Sequence, residues 1–135
     1  MGKNYIDIED DQGGTLRYRK HPNGRGFVAH GAKVHREAYI ASGAYVEPGA
    51  LVGQGAHLAR GAWVESDARV GAGASLEAHA HVGPGAVIGD RAQIGVRTFI
   101  GADTRVAAGV RIGHDESIPP QSEVNPDRKG FWLAA

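Results

Sequence analysis

At 135 residues the chain is long enough for one domain, and its 15 Lys and Arg balance its 15 Asp and Glu. That neutrality, with a pI near 7.1, leaves no global field to favour a nucleic-acid polymer or an anionic membrane as partner. Cysteine is absent, which removes disulfides and thiolate chemistry, and no apolar run approaches the ~18 residues of a membrane span.

The first residues, Met1-Gly2-Lys3-Asn4-Tyr5-Ile6, lack the apolar core of a signal peptide. Ile6 stands where a myristoylation pattern needs Ser or Thr. The expectation is a soluble, cytoplasmic protein; a phage or virion protein would share this composition. Asn4–Glu9 and Thr15–Arg19 alternate and flank Asp11-Gln12-Gly13-Gly14. That pattern predicts a hairpin with Ile6 and Ile8 on one face and acids opposing Arg17 and Arg19. Residues 1–25 are read as a hairpin cap over whatever follows, or as a contact with a neighbouring subunit.

From Val28 to Val124 an aliphatic residue returns at every sixth position, through Val34, Ile40, Val46 and onward without a miss. Two places before most of them sits Ala, giving way to Thr98 and Thr104 near the end. A period of six is a multiple of the strand period of two and does not fit 3.6, so strands are predicted, not helices. The small and the large residue point inward together, and Gly and Pro supply the bends. So strict a repeat marks a solenoid over 26–126. The register never slips between 28 and 124, so no loop interrupts it. After Ile118 the prolines break the pattern, and 127–135, with Phe131-Trp132-Leu133, are read as a capping tail over the last coil or a neighbouring subunit.

If three hexapeptides make a coil, residues eighteen apart stack about 4.8 Å from one another. The outward residue before each core aliphatic then falls into three columns. The first is Phe27, Tyr45, Trp63, His81, Phe99, Ser117. The second is Lys33, Leu51, Arg69, Val87, Arg105, Glu123. The third is Tyr39, His57, Ser75, Gln93, Arg111. An aromatic ladder such as the first is either a subunit interface or the wall of a ligand cleft. The corner leading into it carries Arg60, His79 and Arg97. Aromatic faces beside cations suit a flat anionic ligand.

The repeats resemble the hexapeptide-repeat proteins, whose pattern is aliphatic–Gly–x–x–small–x. The resemblance covers roughly residues 26–126 and implies an all-β fold. That fold is a single-stranded left-handed parallel β-helix, usually assembled as a homotrimer. It does not settle chemistry, because the scaffold carries CoA-dependent acyltransferases, carbonic-anhydrase-like metalloenzymes and non-enzymatic proteins. For acyl transfer, His57, His79 and His81 are the candidate bases. His57 stands one coil from Ser75 and Tyr39, but no acid is visibly placed to orient it. The missing insertion loop, which many of these acyltransferases use to complete their site, also counts against transfer. Ala29-His30-Gly31-Ala32-Lys33-Val34-His35 looks like the paired-histidine stretch of γ-class carbonic anhydrases, which implies a shared zinc site. The third ligand and the family's upstream Arg and Asp would precede the chain, so His30 and His35 are weak metal candidates.

The sequence reading is therefore a homotrimer that binds, sequesters or senses a small anionic, nucleotide-like ligand at intersubunit clefts. Arg60, Trp63, His79, His81, Arg97 and Phe99 would hold it, without catalysis and with no cofactor. The alternatives are a CoA-dependent acyltransferase, a zinc enzyme like the γ-carbonic anhydrases, and a structural scaffold or spike.

Overall fold

An aliphatic residue that returns every sixth position can be buried each time only if the chain bends at the same interval. In the computed structural model, which describes residues 5–9, 13–126 and 133–134, it bends in this way. Short strands form the flat sides of a three-sided coil. One side stacks β3 (Phe27–Ala29), β6 (Tyr45–Val46), β9 (Trp63–Val64), β12 (His81–Val82), β15 (Phe99–Ile100) and β18 (Ser117–Ile118). The second stacks β4 (Lys33–Val34), β7 (Leu51–Val52), β10 (Arg69–Val70), β13 (Val87–Ile88), β16 (Arg105–Val106) and β19 (Ser122–Val124). The third stacks β5 (Tyr39–Ile40), β8 (His57–Leu58), β11 (Ser75–Leu76), β14 (Gln93–Ile94) and β17 (Arg111–Ile112). All three are parallel, with each residue opposite the one eighteen later, as in Trp63↔His81 and Arg69↔Val87.

The corners explain why the period holds. A left-handed backbone recurs three places before the core aliphatic, at Gly31, Gly43, Gly49, Gly55 and Gly61. Glycine adopts it without steric cost. Asp67, His79, Arg91, Arg97, Asp103, Asp115 and Gln121 adopt it too, each against a modest penalty that the stacked corner holds in place. One corner bonds to the next through the backbone, as in His79 N–H to Arg60 O at 3.1 Å and Arg97 N–H to Ala78 O at 2.9 Å.

Inside, Ile40, Leu58, Leu76, Ile88, Ile94 and Ile100 are fully buried, with the Ala series packed between them. Each such aliphatic contributes about 1.5–3 kcal/mol before entropy is subtracted. Thr98 and Thr104 replace Ala without leaving a bare hydroxyl. Thr98 donates to Gly113 O at 2.6 Å and accepts from Glu116 N–H at 3.1 Å, while Thr104 donates to Pro119 O at 3.0 Å.

The N-terminal hairpin pairs β1 (Tyr5–Glu9) with β2 (Thr15–Lys20), and β2 lies antiparallel on β3. It thus extends the first side of the coil. Asp7 opposes Arg17 and bonds it at 2.8 Å. Arg19 lies opposite Tyr5 and not opposite an acid, because the register places Glu9 against Thr15. Ile6 is half-buried and Ile8 exposed, so the expected shared apolar face is only partly covered. At the other end, β20 (Leu133–Ala134) pairs antiparallel with β19; the rest of the expected capping tail lies outside the described residues. Among the described residues, no helix is long and apolar enough to cross a membrane.

Candidate active site on the aromatic face

Strand alternation places two outward residues around each core aliphatic, the one before it and the one after it. On the first side the residues before it form the aromatic column, and the residues after it include Glu47 and Glu65. A carboxylate after one core residue lies diagonally beside the outward residue of the next coil, sixteen positions on. Both glutamates use that geometry. Glu47 accepts from Trp63 Nε1–H at 2.7 Å, and Glu65 meets His81 Nε2 in a very short hydrogen bond.

His81 is held on three sides. Its ring lies parallel to the Trp63 indole, 4.5 Å between centroids with 4° between planes. Phe99 approaches it edge-on at 4.8 Å. Glu65 takes the third side, and both partners of that pair are about three-quarters shielded. In the neutral ring, a carboxylate that accepts from Nε2–H leaves the lone pair on Nδ1. Nδ1 has no hydrogen-bond partner among the described residues. This is an imidazole with an oriented acid behind it and a free basic nitrogen in front.

A second glutamate ties the hairpin to the same edge. Tyr18 of β2 is buried and donates its hydroxyl to Glu47 Oε1 at 2.5 Å, while Glu47 Oε2 serves Trp63. Burial first, and then the Glu47 carboxylate, pushes the Tyr18 hydroxyl well above its ordinary value, so it remains a donor. Tyr18 also meets Tyr45 edge-on at 5.7 Å, and Tyr45 stacks on Phe27 at 5.2 Å.

The remaining predicted residues fall into separate places. Trp63 and Phe99 are exposed at 42% and 37% and belong to the cluster. Arg60, His79 and Arg97 stay at the corner leading into it, all exposed. The Arg60 stem lies beside Gly43, and the His79 ring covers Gly61. Arg97 is engaged by Asp115 through two bonds of 2.6 and 3.0 Å, and that guanidinium holds the Asp115 carboxyl below its usual range. His57 stacks on Tyr39 at 4.8 Å on the third side, away from the acids. His30 and His35 are exposed, and His35 Nδ1 accepts the Glu37 N–H at 3.1 Å. Among the described residues, no group of three or more His, Cys, Asp or Glu could hold a metal ion. Sequence reasoning missed Glu65, Glu47 and Tyr18. The sixteen-residue offset was the available signal, whereas only eighteen-residue columns had been stacked.

The second side carries an open groove of about 760 Å³. The outward Leu51 and Val87 form its apolar floor, with Lys33, Arg69 and Arg19 among its lining cations. A corner of the coil separates it from His81.

No known family model and no curated protein matches the chain. Among solved structures, it superposes with a TM-score of 0.64 on a mutant of perosamine N-acetyltransferase from Caulobacter crescentus in complex with CoA and GDP-perosamine. That match is 24% identical and covers 71% of this chain and 50% of the other. The acetyltransferase domain of PglB from Neisseria gonorrhoeae, in complex with acetyl coenzyme A, is 29% identical. It is matched over 78% of this chain and 55% of that one, with a TM-score of 0.45. A hexapeptide transferase family protein from Anaplasma phagocytophilum is 16% identical over 71% of this chain and 70% of its own, with a TM-score of 0.44. The chain spans about half the length of the first two.

These matches correct two expectations. The sequence was read as a binder that sequesters or senses a ligand without catalysis, and as having no cofactor. Perosamine N-acetyltransferase, whose coil superposes on this one, is an enzyme and holds CoA. The physical ground for the earlier reading also falls, since it rested on the lack of an acid to orient a histidine, and Glu65 is that acid. The repeat and the superposed coil together give the chain the fold of the hexapeptide-repeat, left-handed β-helix proteins.

Proposed function

We propose that the chain is a CoA-dependent acyltransferase whose general base is His81. The observation that carries this reading is the Glu65–His81 pair on the aromatic face, with Nδ1 free. CoA, when bound, supplies an acyl group activated as a thioester. The chain's residues fit such a group, because the groove offers an apolar floor at Leu51 and Val87 for a flexible arm and cations at Lys33 and Arg69 for phosphates. His81 takes the proton from an amine or hydroxyl acceptor through Nδ1, and Glu65 offsets the imidazolium charge that results. Trp63 and Phe99 exclude water from the imidazole, and exposed Arg60 and His79 on the adjoining corner would receive an anionic part of the acceptor.

The groove and His81 lie on different sides of one coil. The reading therefore includes a homotrimer in which the aromatic face of one protomer meets the groove of the next. A thioester-consumption assay with acetyl-CoA and a panel of amino sugars, free and nucleotide-linked, tests the activity. His81→Ala should lower kcat by about 10²–10⁴-fold, the usual range for a lost general base, and Glu65→Gln by less. Wild-type protein that frees no CoA with any acceptor, or a His81→Ala variant of undiminished rate, would sink the reading.

A further inference from the structure

Tyr18 reaches the candidate site from outside the repeats. It belongs to the hairpin, whose strand β2 runs antiparallel to the first coil strand β3, and nothing in a six-residue period calls for it. Its hydroxyl and the Trp63 indole nevertheless meet on the two oxygens of one carboxylate, Glu47, at 2.5 and 2.7 Å. Trp63 is 42% exposed, so packing alone leaves its indole free to change rotamer. The bond from Glu47 removes that freedom. The indole plane then lies flat on the His81 ring. The ring keeps only in-plane choices, and Glu65 settles those by taking Nε2.

We infer that Tyr18 is a positioning residue for His81, acting through Glu47 and Trp63, so that docking of the N-terminal hairpin sets the orientation of the base. The inference rests on His81 being the proton acceptor proposed above. The chain of contacts is directional. Tyr18 holds Glu47 from the buried side, Glu47 holds Trp63 from the exposed side, and Trp63 holds the ring. A carboxylate with a donor on each oxygen cannot swing away to either one alone. The Tyr18 hydroxyl, raised by burial and by Glu47, keeps the proton that the first link donates.

The test uses the full-length protein labelled with ¹⁵N-histidine, with the His81 signals assigned from a His81→Gln spectrum. In the wild type the neutral His81 should show the Nε2–H tautomer. Tyr18→Phe keeps the ring and removes the hydroxyl. It should raise the share of the Nδ1–H tautomer and, with Trp132→Phe in both proteins, lower the fluorescence anisotropy of Trp63. It should also cut kcat by about tenfold, as small misplacements of a catalytic group do, with KM for acetyl-CoA unchanged. Glu47→Gln should act in the same direction, and it decides the matter if amide exchange at residues 15–20 reveals that Tyr18→Phe has loosened the hairpin. A His81 tautomer and a Trp63 anisotropy unchanged in both variants would overturn the inference, leaving Tyr18 a strut between cap and coil. The spectra read positioning without turnover. A wild type that transfers no acyl group but responds in its spectra therefore defeats the enzyme reading alone.

Discussion

His21 shows how a single side chain fixes a solution property. It lies where the hairpin joins the first coil, 2% exposed, with Nε2 on Ala38 O at 2.9 Å and Nδ1 buried without a partner among the described residues. Burial lowers its pKa from the ordinary 6.5, the Ala38 carbonyl opposes that shift, and Arg19 adds to it. The folded chain refuses a proton that the unfolded chain accepts below about pH 6.5. The stability contribution is therefore complete above that pH and is lost as the pH falls toward the lower folded value. Urea midpoints at about pH 7.5 and about pH 5 should differ in the wild type and differ less in His21→Asn. Equal pH dependence in the two proteins would show that another group carries the effect. Inside the coil the argument is simpler. Leu76 is fully buried between β8 and β14, and Leu76→Ala should cost about 2–5 kcal/mol in a urea titration. A change under about 1 kcal/mol would mean that the coil collapses around the gap.

At the scale of elements, the strands of the coil were legible in the sequence and the hairpin's contact with the aromatic face was not. A core aliphatic at every sixth place can bury its side chain in one way only, so all three stacked columns appear in the structure as read, down to the pairing of Trp63 with His81 and Tyr39 with His57. Glu47 and Glu65 escaped because their partners lie on a diagonal between columns, a relation that a straight eighteen-residue count does not visit. Tyr18 escaped for a different reason. Its contact depends on how far the antiparallel β2 overlaps β3, and no repeat governs that overlap. The missing insertion loop counted against transfer in the sequence, yet this β-helix face brings an acid to a histidine with its own strands. The loop at residues 21–26 makes this element testable. Gly26 N–H donates to Ile40 O at 2.7 Å, and a Cβ at Gly26 would run into Ile40 and the Ala41 carbonyl. Gly26→Ala should therefore speed amide exchange across Thr15–Lys20 while leaving Ser75–Leu76 protected. Uniform exchange throughout would mean that hairpin and coil unfold as one unit.

For the whole molecule, the arrangement of sides decides what assembly the chemistry needs. The imidazole of His81 projects from the first side and the groove opens on the second, with the corners at 65–68 and 83–86 between them. On one protomer, a ligand arm lying on Leu51 and Val87 would have to cross that corner to meet Nδ1 of the same chain. In the closed three-fold ring proposed above they would meet, because a heterologous interface sets one surface of each protomer against a different surface of the next. Sedimentation should accordingly give three times 14.2 kDa. Mass alone does not show which surfaces meet, so two damaged forms are needed. His81→Ala lacks the base and keeps the groove. Val87→Glu keeps the base and places a carboxylate on the apolar floor, at a half-buried outward position that the core does not depend on. Each variant alone should form an inactive trimer. Unfolded together and refolded from an equal mixture, they assemble at random. About a quarter of all interfaces then pair an intact base from one variant with an intact groove from the other. Acetyl transfer should return to about a quarter of the wild-type rate. A mixed trimer confirmed by mass but still inactive would place base and donor on the same protomer, and the face-to-groove assembly would have to be abandoned.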